Sequence, residues 1–331
     1  MLAEETSKDT LCYGGLRQLV PGRPEAGVFE PVSPLARSIT DLFVVVMTLG
    51  ALVLAGVTGT VVFFGIRYRA RPGDDEPAPI YGNRRLEIAW FVIPAVIVAG
   101  LLGLSIVTAR AADPPTTGTP DLVIIGHQWW WEVVYPQNGA VSANEIHIPT
   151  GRPILVQLES IDVIHDFWVP QLGRKMDAIP GVANRFWIQA DLPGVYLGAC
   201  AEYCGTQHAW MRIRVVAQPP AEFEAWLQQE ARPIAPPATA LARQGQALFE
   251  SKTCANCHAI DGRAQRPNVG PNLAQLARRE TIGGGVIANT PENLARWLAN
   301  PGSIKPGSLM PDLNLTQQEV AALVAFLDGR P

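Results

Sequence analysis

Four residues that could bind a soft metal ion lie in one short segment. Residues 200–211 read CAEYCGTQHAWM and contain Cys200, Cys204, His208 and Met211. Thiolate, imidazole and thioether groups are ligands that suit copper. A mononuclear blue-copper site uses one cysteine and two histidines, so this segment has one thiolate too many and one histidine too few. Two bridging thiolates could instead hold two copper ions, each of which would need its own histidine.

The second histidine has to come from elsewhere in the chain. The candidates are His127, His147 and His165. His165 begins the sequence HDFWVP at the edge of a predicted strand and is the best placed, although spacing alone does not choose it. A disulfide between the two cysteines, or a zinc site, is the alternative to copper. Neither alternative explains why a histidine and a methionine complete the run.

A second cysteine pair has the spacing of covalent haem attachment. Residues 254–258 read CANCH, so Cys254 and Cys257 would bond to the haem vinyl groups and His258 would bind the iron. The alternative is a redox CxxC motif, which usually lies near a βαβ pattern, whereas this run lies between predicted helices. Met310 is the only methionine after residue 211 and could be the sixth ligand or a packing residue. Ligation by methionine and histidine raises the haem potential.

Two long uncharged segments predict a membrane hairpin. Residues 42–66 and 88–109 are each longer than the about 20 residues that span a bilayer. The chain carries only 17% charged residues and a net charge of −4, which excludes a disordered tail protein and a basic nucleic-acid-binding protein. The positive-inside rule places the loop between the spans in the cytoplasm and both termini outside. The basic residues that flank this loop are Arg67, Arg69, Arg71, Arg84 and Arg85.

The remaining sequence predicts two exported domains. Short apolar runs separated by Pro, Gly and Asn indicate a β-sandwich or barrel, and capping-box spacing at Thr316 and Glu319 indicates a terminal helix in an all-α domain. The predicted division is an exported N-terminal segment (1–40), a transmembrane helical hairpin (41–110), a linker (111–120), the sandwich (121–217), a Pro-rich linker (218–239) and the all-α domain (240–331). Cys12 receives no role.

Three motifs resemble subunit II of haem–copper cytochrome c oxidases. They are GHQWWWEVVYP, HDFWVPQLGRKMDAIPG and GVYLGACAEYCGTQHAWM, in the order of that family. The blocks GPNL and SLMP and the terminal helix resemble a class I cytochrome c domain. The resemblance implies a cupredoxin fold with a binuclear CuA centre. Its ligands map onto His165, Cys200, Cys204, His208, Met211 and the backbone carbonyl of Glu202. The Glu202 side chain would help bind a magnesium ion at the boundary with subunit I. Met176 is not part of the ligand pattern and is interpreted as packing.

A membrane-anchored CuA domain fused to a cytochrome c is typical of caa-type oxidases. The resemblance implies that electrons pass from haem c to CuA and on to haem a of subunit I, with oxygen reduction and proton translocation on other chains. The implied partners are subunit I, subunit III and an upstream donor such as another cytochrome c or a quinol–cytochrome c reductase. The implied location is the bacterial cytoplasmic membrane, with both metal domains on the outer face. Alternatives are a subunit of a CuA-containing nitric oxide reductase and a free-standing membrane-tethered electron carrier.

Two further residues receive roles from the resemblance. Trp129 corresponds to the surface tryptophan through which electrons reach CuA, and strand alternation predicts that Trp129 and Trp131 share one face. Glu87 corresponds to a glutamate at the mouth of a proton pathway into subunit I. The alternative for Glu87 is an interfacial ion pair with Arg84 and Arg85 that anchors the helix.

Overall fold

The computed structural model describes residues 27, 29–76, 78–79, 81–112, 118–232, 236–261 and 269–329. The chain divides into two compact units, one of which is Arg37–Asp113. The other contains a β domain (118–232) and a helical domain (236–329). Cys12 and most of the predicted N-terminal segment lie outside the described residues.

Two long apolar helices form the first unit. Helix α1 is Pro34–Arg67 and helix α2 is Arg84–Ala112. Both exceed the length that a bilayer requires, and the apolar side chains of both are exposed. The predicted spans lie inside these helices, and the prediction of two membrane helices is confirmed. Pro94 lies inside α2, which a membrane helix tolerates.

The β domain is a sandwich of two five-stranded sheets. The sheet orders are β3-β2-β1-β5-β8 and β4-β10-β9-β6-β7, with β1–β5 and β4–β10 parallel. Large side chains such as Trp131, Phe167 and Phe186 fill the space between the sheets. The strands are β1 Leu122–His127, β2 Trp130–Tyr135, β3 Ala140–Ala143, β4 Glu145–Pro149, β5 Ile154–Ser160, β6 His165–Trp168, β7 Met176–Ala178, β8 Asn184–Ile188, β9 Gly194–Cys200 and β10 Arg212–Gln218.

Two neighbouring segments complete the β domain. Helix α3, Pro220–Glu230, lies in the interval predicted as a linker, and its Phe223 and Leu227 pack into the sandwich core because they are one turn apart. On the N-terminal side, Val32 N donates to Gln171 O at 3.0 Å, and Ser33 Oγ donates to Leu172 O at 2.9 Å. The segment just before α1 is therefore bound to the β domain.

The described part of the helical domain has four helices, and the first, second and fourth of them pack around a small core. Helices α4 (Ala240–Ser251), α5 (Pro291–Ala299), α6 (Pro301–Ile304) and α7 (Gln317–Asp328) follow in order, with a hairpin of β11 (Thr281–Ile282) and β12 (Ile287–Ala288) before α5. The predicted capping box at Thr316 and Glu319 is confirmed at the start of α7. Helices α4 and α7 cross closely because Gly245 has no Cβ, which would overlap the Ala322 carbonyl.

Candidate metal centres

The end of strand β9 and the loop to β10 bring the four predicted copper ligands of this segment together. Cys200 Sγ lies 3.7 Å from Cys204 Sγ, which is 3.7 Å from His208 Nδ1 and 3.9 Å from Met211 Sδ. Cys200 Sγ is also 3.2 Å from the carbonyl oxygen of Glu202. Both thiols and the thioether are buried. The loop therefore presents two thiols, an imidazole, a thioether and a carbonyl to one point.

Strand β6 supplies the remaining histidine. Phe167 pairs with Cys200 across β6 and β9, which places His165 Nδ1 4.0 Å from Cys200 Sγ. His165 Nε2 is 2.8 Å from Asp162 Oδ1, so this carboxylate orients the ring and leaves Nδ1 directed at the thiol. Burial favours the neutral imidazole and is the largest single effect, but the interactions with Asp162 and Cys200 together exceed it and raise the pKa of His165. Ligand atoms of His165, Cys200 and Cys204 lie within 4.8 Å of one another.

The chemistry of the two thiols fits a bound cation. Contact with Cys204 lowers the pKa of Cys200 to about 3, and contact with Cys200 raises the pKa of Cys204. The first thiolate thus forms readily and opposes formation of the second. A metal cation removes this opposition, and thiolate, imidazole and thioether donors are those that copper takes. The residues present therefore fit a thiolate-bridged copper centre.

The other histidine candidates lie outside this cluster. His127 Nε2 is 3.0 Å from Glu132 Oε2, and its ring stacks on Trp130 with centroids 4.2 Å apart. His147 stacks on Trp226 at 3.9 Å. Met176, on β7, is partly buried against the sandwich core, in line with a packing role.

The predicted haem attachment residues form one turn in the helical domain. Cys254 begins a short 3₁₀ turn, and His258 N donates to Cys254 O at 3.0 Å. His258 Nδ1 is 2.8 Å from the carbonyl oxygen of Pro271, an arrangement that fixes the ring and leaves Nε2 free to bind a metal. A Cβ at Gly270 would lie 2.5 Å from His258 Cε1, so the backbone of the GPNL segment approaches the imidazole closely.

A mainly apolar cavity lies beside His258. Cys257, His258 and Met310 line it together, so the structure brings the predicted axial residues to one cavity. Arg279 lines the same cavity and is buried, and its Nε has no hydrogen-bond partner in the described part of the chain. An unpaired buried donor suits an anionic acceptor, which the haem propionates supply. The cavity therefore fits a haem bound through its vinyl groups and iron.

Residues of the β domain form part of the wall of this cavity. They are Gln128, Trp129, Trp130, Ala143, Asn144 and Gln207. Trp129 Nε1 donates to Cys204 O at 3.0 Å, and Gln128 Nε2 donates to the same carbonyl at 2.8 Å. One residue of the predicted copper set is thus hydrogen-bonded to a tryptophan that lines the predicted haem cavity.

The expectation that Trp129 shares a strand face with Trp131 is wrong. Strand β2 begins at Trp130, and Trp129 lies in the tight turn that joins β1 to β2, where strand alternation does not apply. Trp131 is fully buried in the sandwich core, with its ring centroid 5.8 Å from that of His165. The turn leaves Trp129 at the surface of the β domain, against the helical domain.

Buried polar contacts join the helical domain to the β domain. Glu145, on β4, accepts hydrogen bonds from Thr281 N and Thr281 Oγ1, both at 2.8 Å, and from Glu280 N at 3.1 Å. Arg214, which pairs with Glu145 across β10 and β4, forms an ion pair with Glu280. Burial raises the pKa of Glu145, against the opposing effect of the Thr281 hydrogen bond. Loss of both hydrogen bonds from Thr281 would leave the buried Oε1 of Glu145 unsatisfied.

Three consecutive glycines form a second contact between the domains. Gly283–Gly285 join β11 to β12, and all three have positive φ, between 67° and 83°. Such a backbone is open to glycine without strain. Arg212 N donates to Gly284 O at 3.3 Å. A Cβ at Gly284 would lie 2.7 Å from Lys305 Nζ and 3.3 Å from the Trp129 carbonyl oxygen.

Substitution of Gly284 by alanine should loosen the helical domain from the β domain. A left-handed non-glycine residue costs about 1–3 kcal/mol, and the new Cβ would lie only 3.3 Å from the Trp129 carbonyl oxygen of the β domain. We expect faster hydrogen exchange of the Arg212 amide. Gly302→Ala is the matched control, because the nearest atom to its Cβ would be Asn300 Oδ1 at 3.5 Å. Equal exchange in Gly284→Ala and the unsubstituted protein would contradict the docking role.

Substitution of Met310 by histidine should lower the haem potential. Thioether ligation favours reduced iron, so an imidazole in its place shifts the potential downward by on the order of 0.1–0.3 V, within the roughly 0.8 V range of axial ligands. Redox titration with optical spectra measures the shift. An unchanged spectrum and potential would show that Met310 only packs against the core of the helical domain.

The residues that join the two domains were not predictable from sequence motifs. Glu145, Arg214 and Lys305 are single charged residues with no motif around them. Gly283–Gly285 are the exception, since three adjacent glycines indicate a turn with positive φ or a backbone that closely approaches another part of the protein. That signal does not say which surface the turn contacts.

Three protein families match successive parts of the chain. Residues 25–106 match the transmembrane domain of cytochrome c oxidase subunit II, and residues 140–218 match the periplasmic domain of that subunit. Residues 242–330 match cytochrome c. The order of the three agrees with the hairpin, the β domain and the helical domain.

Individual relatives match along most of their length. Cytochrome c oxidase subunit 2 of Alkalihalophilus pseudofirmus is 35% identical over 314 residues, which cover 92% of this chain and 91% of the relative. Subunit 2 of Bacillus subtilis is 32% identical over 332 residues, which cover 93% and 92%. The periplasmic domain of subunit II from Bradyrhizobium japonicum, a crystal structure, is 35% identical over 34% of this chain and 95% of that chain, with a TM-score of 0.32. The chain therefore belongs to the cytochrome c oxidase subunit II family.

Proposed function

We propose that electrons enter this chain at a haem c in the helical domain and pass to a binuclear CuA centre in the β domain. Family membership makes the chain the electron-entry subunit of a haem–copper oxidase, with subunit I as its partner. The oxygen-reducing centre belongs to that partner. The proposal adds the haem c, the ligand residues and the direction of transfer within the chain.

One observation carries the proposal. The cavity that contains His258 and Met310 is partly walled by Trp129, whose indole donates to the carbonyl of Cys204. Cys204 Sγ is in turn in contact with Cys200, His208 and Met211. Trp129 thus contacts both predicted metal sites, because it lines the cavity of one and is hydrogen-bonded to a predicted ligand residue of the other.

Each predicted residue has a defined task in this scheme. Haem c and CuA, when bound, each supply a one-electron carrier. Cys254 and Cys257 would hold the haem covalently, and His258 and Met310 would bind its iron. The copper ligands would be His165, Cys200, Cys204, His208, Met211 and the carbonyl of Glu202. Their fixed backbone elements and burial keep the ligand geometry constant, so little rearrangement accompanies a change of charge.

The proposal is tested on the intact complex after purification from its membrane. Flash reduction of haem c should be followed by reduction of copper and then of haem a. Copurification of a subunit with haem a and CuB is expected. A partner with b-type haem and non-haem iron would instead support a nitric oxide reductase, and no partner would support a free-standing carrier. Copper that is reduced before haem c would contradict the direction of transfer.

The orientation in the membrane follows from two features. The arginines of the loop between α1 and α2 favour its cytoplasmic location. Residues 32 and 33 are hydrogen-bonded to the β domain, which supports one common side for the start of α1 and that domain. We therefore assign the β and helical domains to the outer face of a bacterial cytoplasmic membrane.

The exposed side of the copper loop supports a further metal site next to the two copper ions. The Glu202 side chain is exposed, whereas Cys200 and Cys204 on either side of it are buried. A carboxylate there suits a hard divalent cation such as magnesium, shared with subunit I. Subunit III, membrane lipid and an upstream donor, such as another cytochrome c or a quinol–cytochrome c reductase, complete the proposed partners.

Glu87 is the proposed entrance of a proton pathway into subunit I. It lies in the first turn of α2, and within the described residues it forms no ion pair with Arg84 or Arg85. Ionisable groups at a membrane boundary are natural points for collecting protons.

Substitution of Glu87 by alanine should slow turnover of the oxidase. We expect at least about a tenfold loss, since a positioned proton-transfer group contributes about 10²–10⁴-fold. Haem c and CuA should still be reduced at normal rates in stopped-flow experiments. Glu76→Ala, which removes an exposed carboxylate from the preceding loop, is the matched control. A smaller yield of complex with unchanged turnover per complex would instead indicate an anchoring role.

A further inference from the structure

Lys305 is a buried cation at the boundary between the two domains. It follows the short helix α6, and its side chain lines the same cavity as His258 and Met310. Only 4% of the residue is exposed, although lysine is almost never fully buried without a partner. Burial lowers the pKa of Lys305 to about 8. An apolar side chain would avoid this desolvation, so the lysine is unfavourable for stability alone.

The contacts of Lys305 cross the domain boundary in both directions. Its Nζ donates to the carbonyl oxygen of Trp129 at 3.0 Å. Gln207 Nε2, from the copper loop, donates to Lys305 O at 3.1 Å and to Pro306 O at 2.9 Å. Gly284 leaves the space in which the ammonium lies. The backbone and the side chain of Lys305 are therefore both held by the β domain.

These contacts hold Trp129 at two points. The Trp129 indole is bound by the β domain, through its hydrogen bond to Cys204 O at 3.0 Å. The Trp129 carbonyl is bound by the helical domain, through the ammonium of Lys305. A hydrogen bond from a charged donor is roughly twice as strong as a neutral one. Because Trp129 lies in a turn outside the strand ladder, an added restraint on its backbone has a direct effect on the ring.

We propose that Lys305 is a positioning residue for electron transfer between the two domains. Its ammonium fixes the Trp129 backbone when the helical domain is docked, so that the indole keeps its contact with Cys204. The inference rests on the proposed transfer from haem c to CuA. The buried charge of Lys305 then serves the geometry of electron transfer. The contacts of Glu145 and Gly284 hold the helical domain against the β domain.

The test compares three variants in the assembled oxidase. Lys305→Met keeps the length of the side chain and removes the charged donor, and Lys305→Arg keeps a charged donor. Thr281→Val is the docking control, because it removes a hydrogen bond to Glu145 at the same interface. Flash reduction of haem c gives the rate of copper reduction. Hydrogen exchange of the Arg212 amide, which donates to Gly284 O, reports docking independently of electron transfer.

We expect Lys305→Met to slow electron transfer by about 10- to 100-fold. Loss of a charged hydrogen bond lowers the population with a correctly placed Trp129 by about this factor. Exchange at Arg212 should stay unchanged, and Lys305→Arg should restore most of the rate. Thr281→Val should speed hydrogen exchange of the Arg212 amide. It should slow electron transfer only as far as the loss of docking accounts for.

Two results would overturn the inference while leaving the proposed function in place. One is an unchanged transfer rate in Lys305→Met. The other is a slower rate with exchange as fast as in Thr281→Val, which would reduce Lys305 to a docking contact. Absence of transfer from haem c to copper in the unsubstituted oxidase would overturn both proposals.

Discussion

Replacing Cys200 by serine should empty the copper site and leave the haem attached. Cys200 Sγ contacts Cys204 Sγ, and His165 Nδ1 and Glu202 O lie close to it, so it is central to the proposed ligand set. Copper affinity should fall by more than about 100-fold, the upper end of the loss caused by changes behind the ligands alone. Metal analysis of the complex should find two copper ions fewer than in the unsubstituted oxidase, with the iron content unchanged, and copper-dependent reduction of haem a should stop.

Cys12→Ser is the matched control, because the same substitution is made at a cysteine that has no assigned role. Its copper and iron content should equal those of the unsubstituted protein. Loss of haem together with copper in Cys200→Ser would point to misfolding. A mononuclear blue-copper spectrum in the fully loaded, unsubstituted protein would contradict the binuclear centre.

Replacing Trp129 by alanine should slow transfer from haem c to copper with both metals still bound. The change removes the side chain that lines the proposed haem cavity and donates to Cys204 O. We expect a loss of roughly 100-fold, the order caused by misplacement of a reacting group. Flash reduction of haem c, followed at the copper absorption, measures this rate.

Trp129→Phe separates the ring from its hydrogen bond. Phenylalanine keeps an aromatic side chain but has no N–H group for the Cys204 carbonyl, so its rate should lie between those of the other two proteins. Copper and haem content of both variants serve as the control for folding. Transfer at the normal rate in Trp129→Ala would refute the role of this residue.

Most of the proposed copper site could be predicted because its residues are close together in the sequence. Cys200, Cys204, His208 and Met211 lie on one loop, and their types favour copper without knowledge of the fold. His165 is different, since its place depends on the pairing of β6 with β9. Long-range strand register leaves no mark at the histidine itself, so the sequence pattern favoured His165 but spacing alone did not choose it over His127 and His147.

The helical domain shows the same contrast. CANCH and the capping box at Thr316 are short-range patterns, and the predicted haem attachment and the predicted terminal helix follow from them. The contacts of Glu145 with Thr281 and of Lys305 with Trp129 join residues far apart in the chain. Their energy comes from burial at an interface that exists only after both domains have folded. Similarly, the turn at Trp129 was not anticipated, because an aromatic run resembles a continuous strand.

The segment between α3 and α4 determines how strongly the two domains must attract one another. Helix α3 ends at Glu230 on the β domain, and α4 of the helical domain begins at Ala240. A tether this short gives the helical domain an effective concentration of about millimolar at its docking surface. Contacts too weak to hold two separate proteins together then suffice to keep the surface occupied. A diffusing electron carrier at a lower concentration competes poorly for the surface around Trp129. The tether would therefore give the proposed haem of this chain priority of access to that surface.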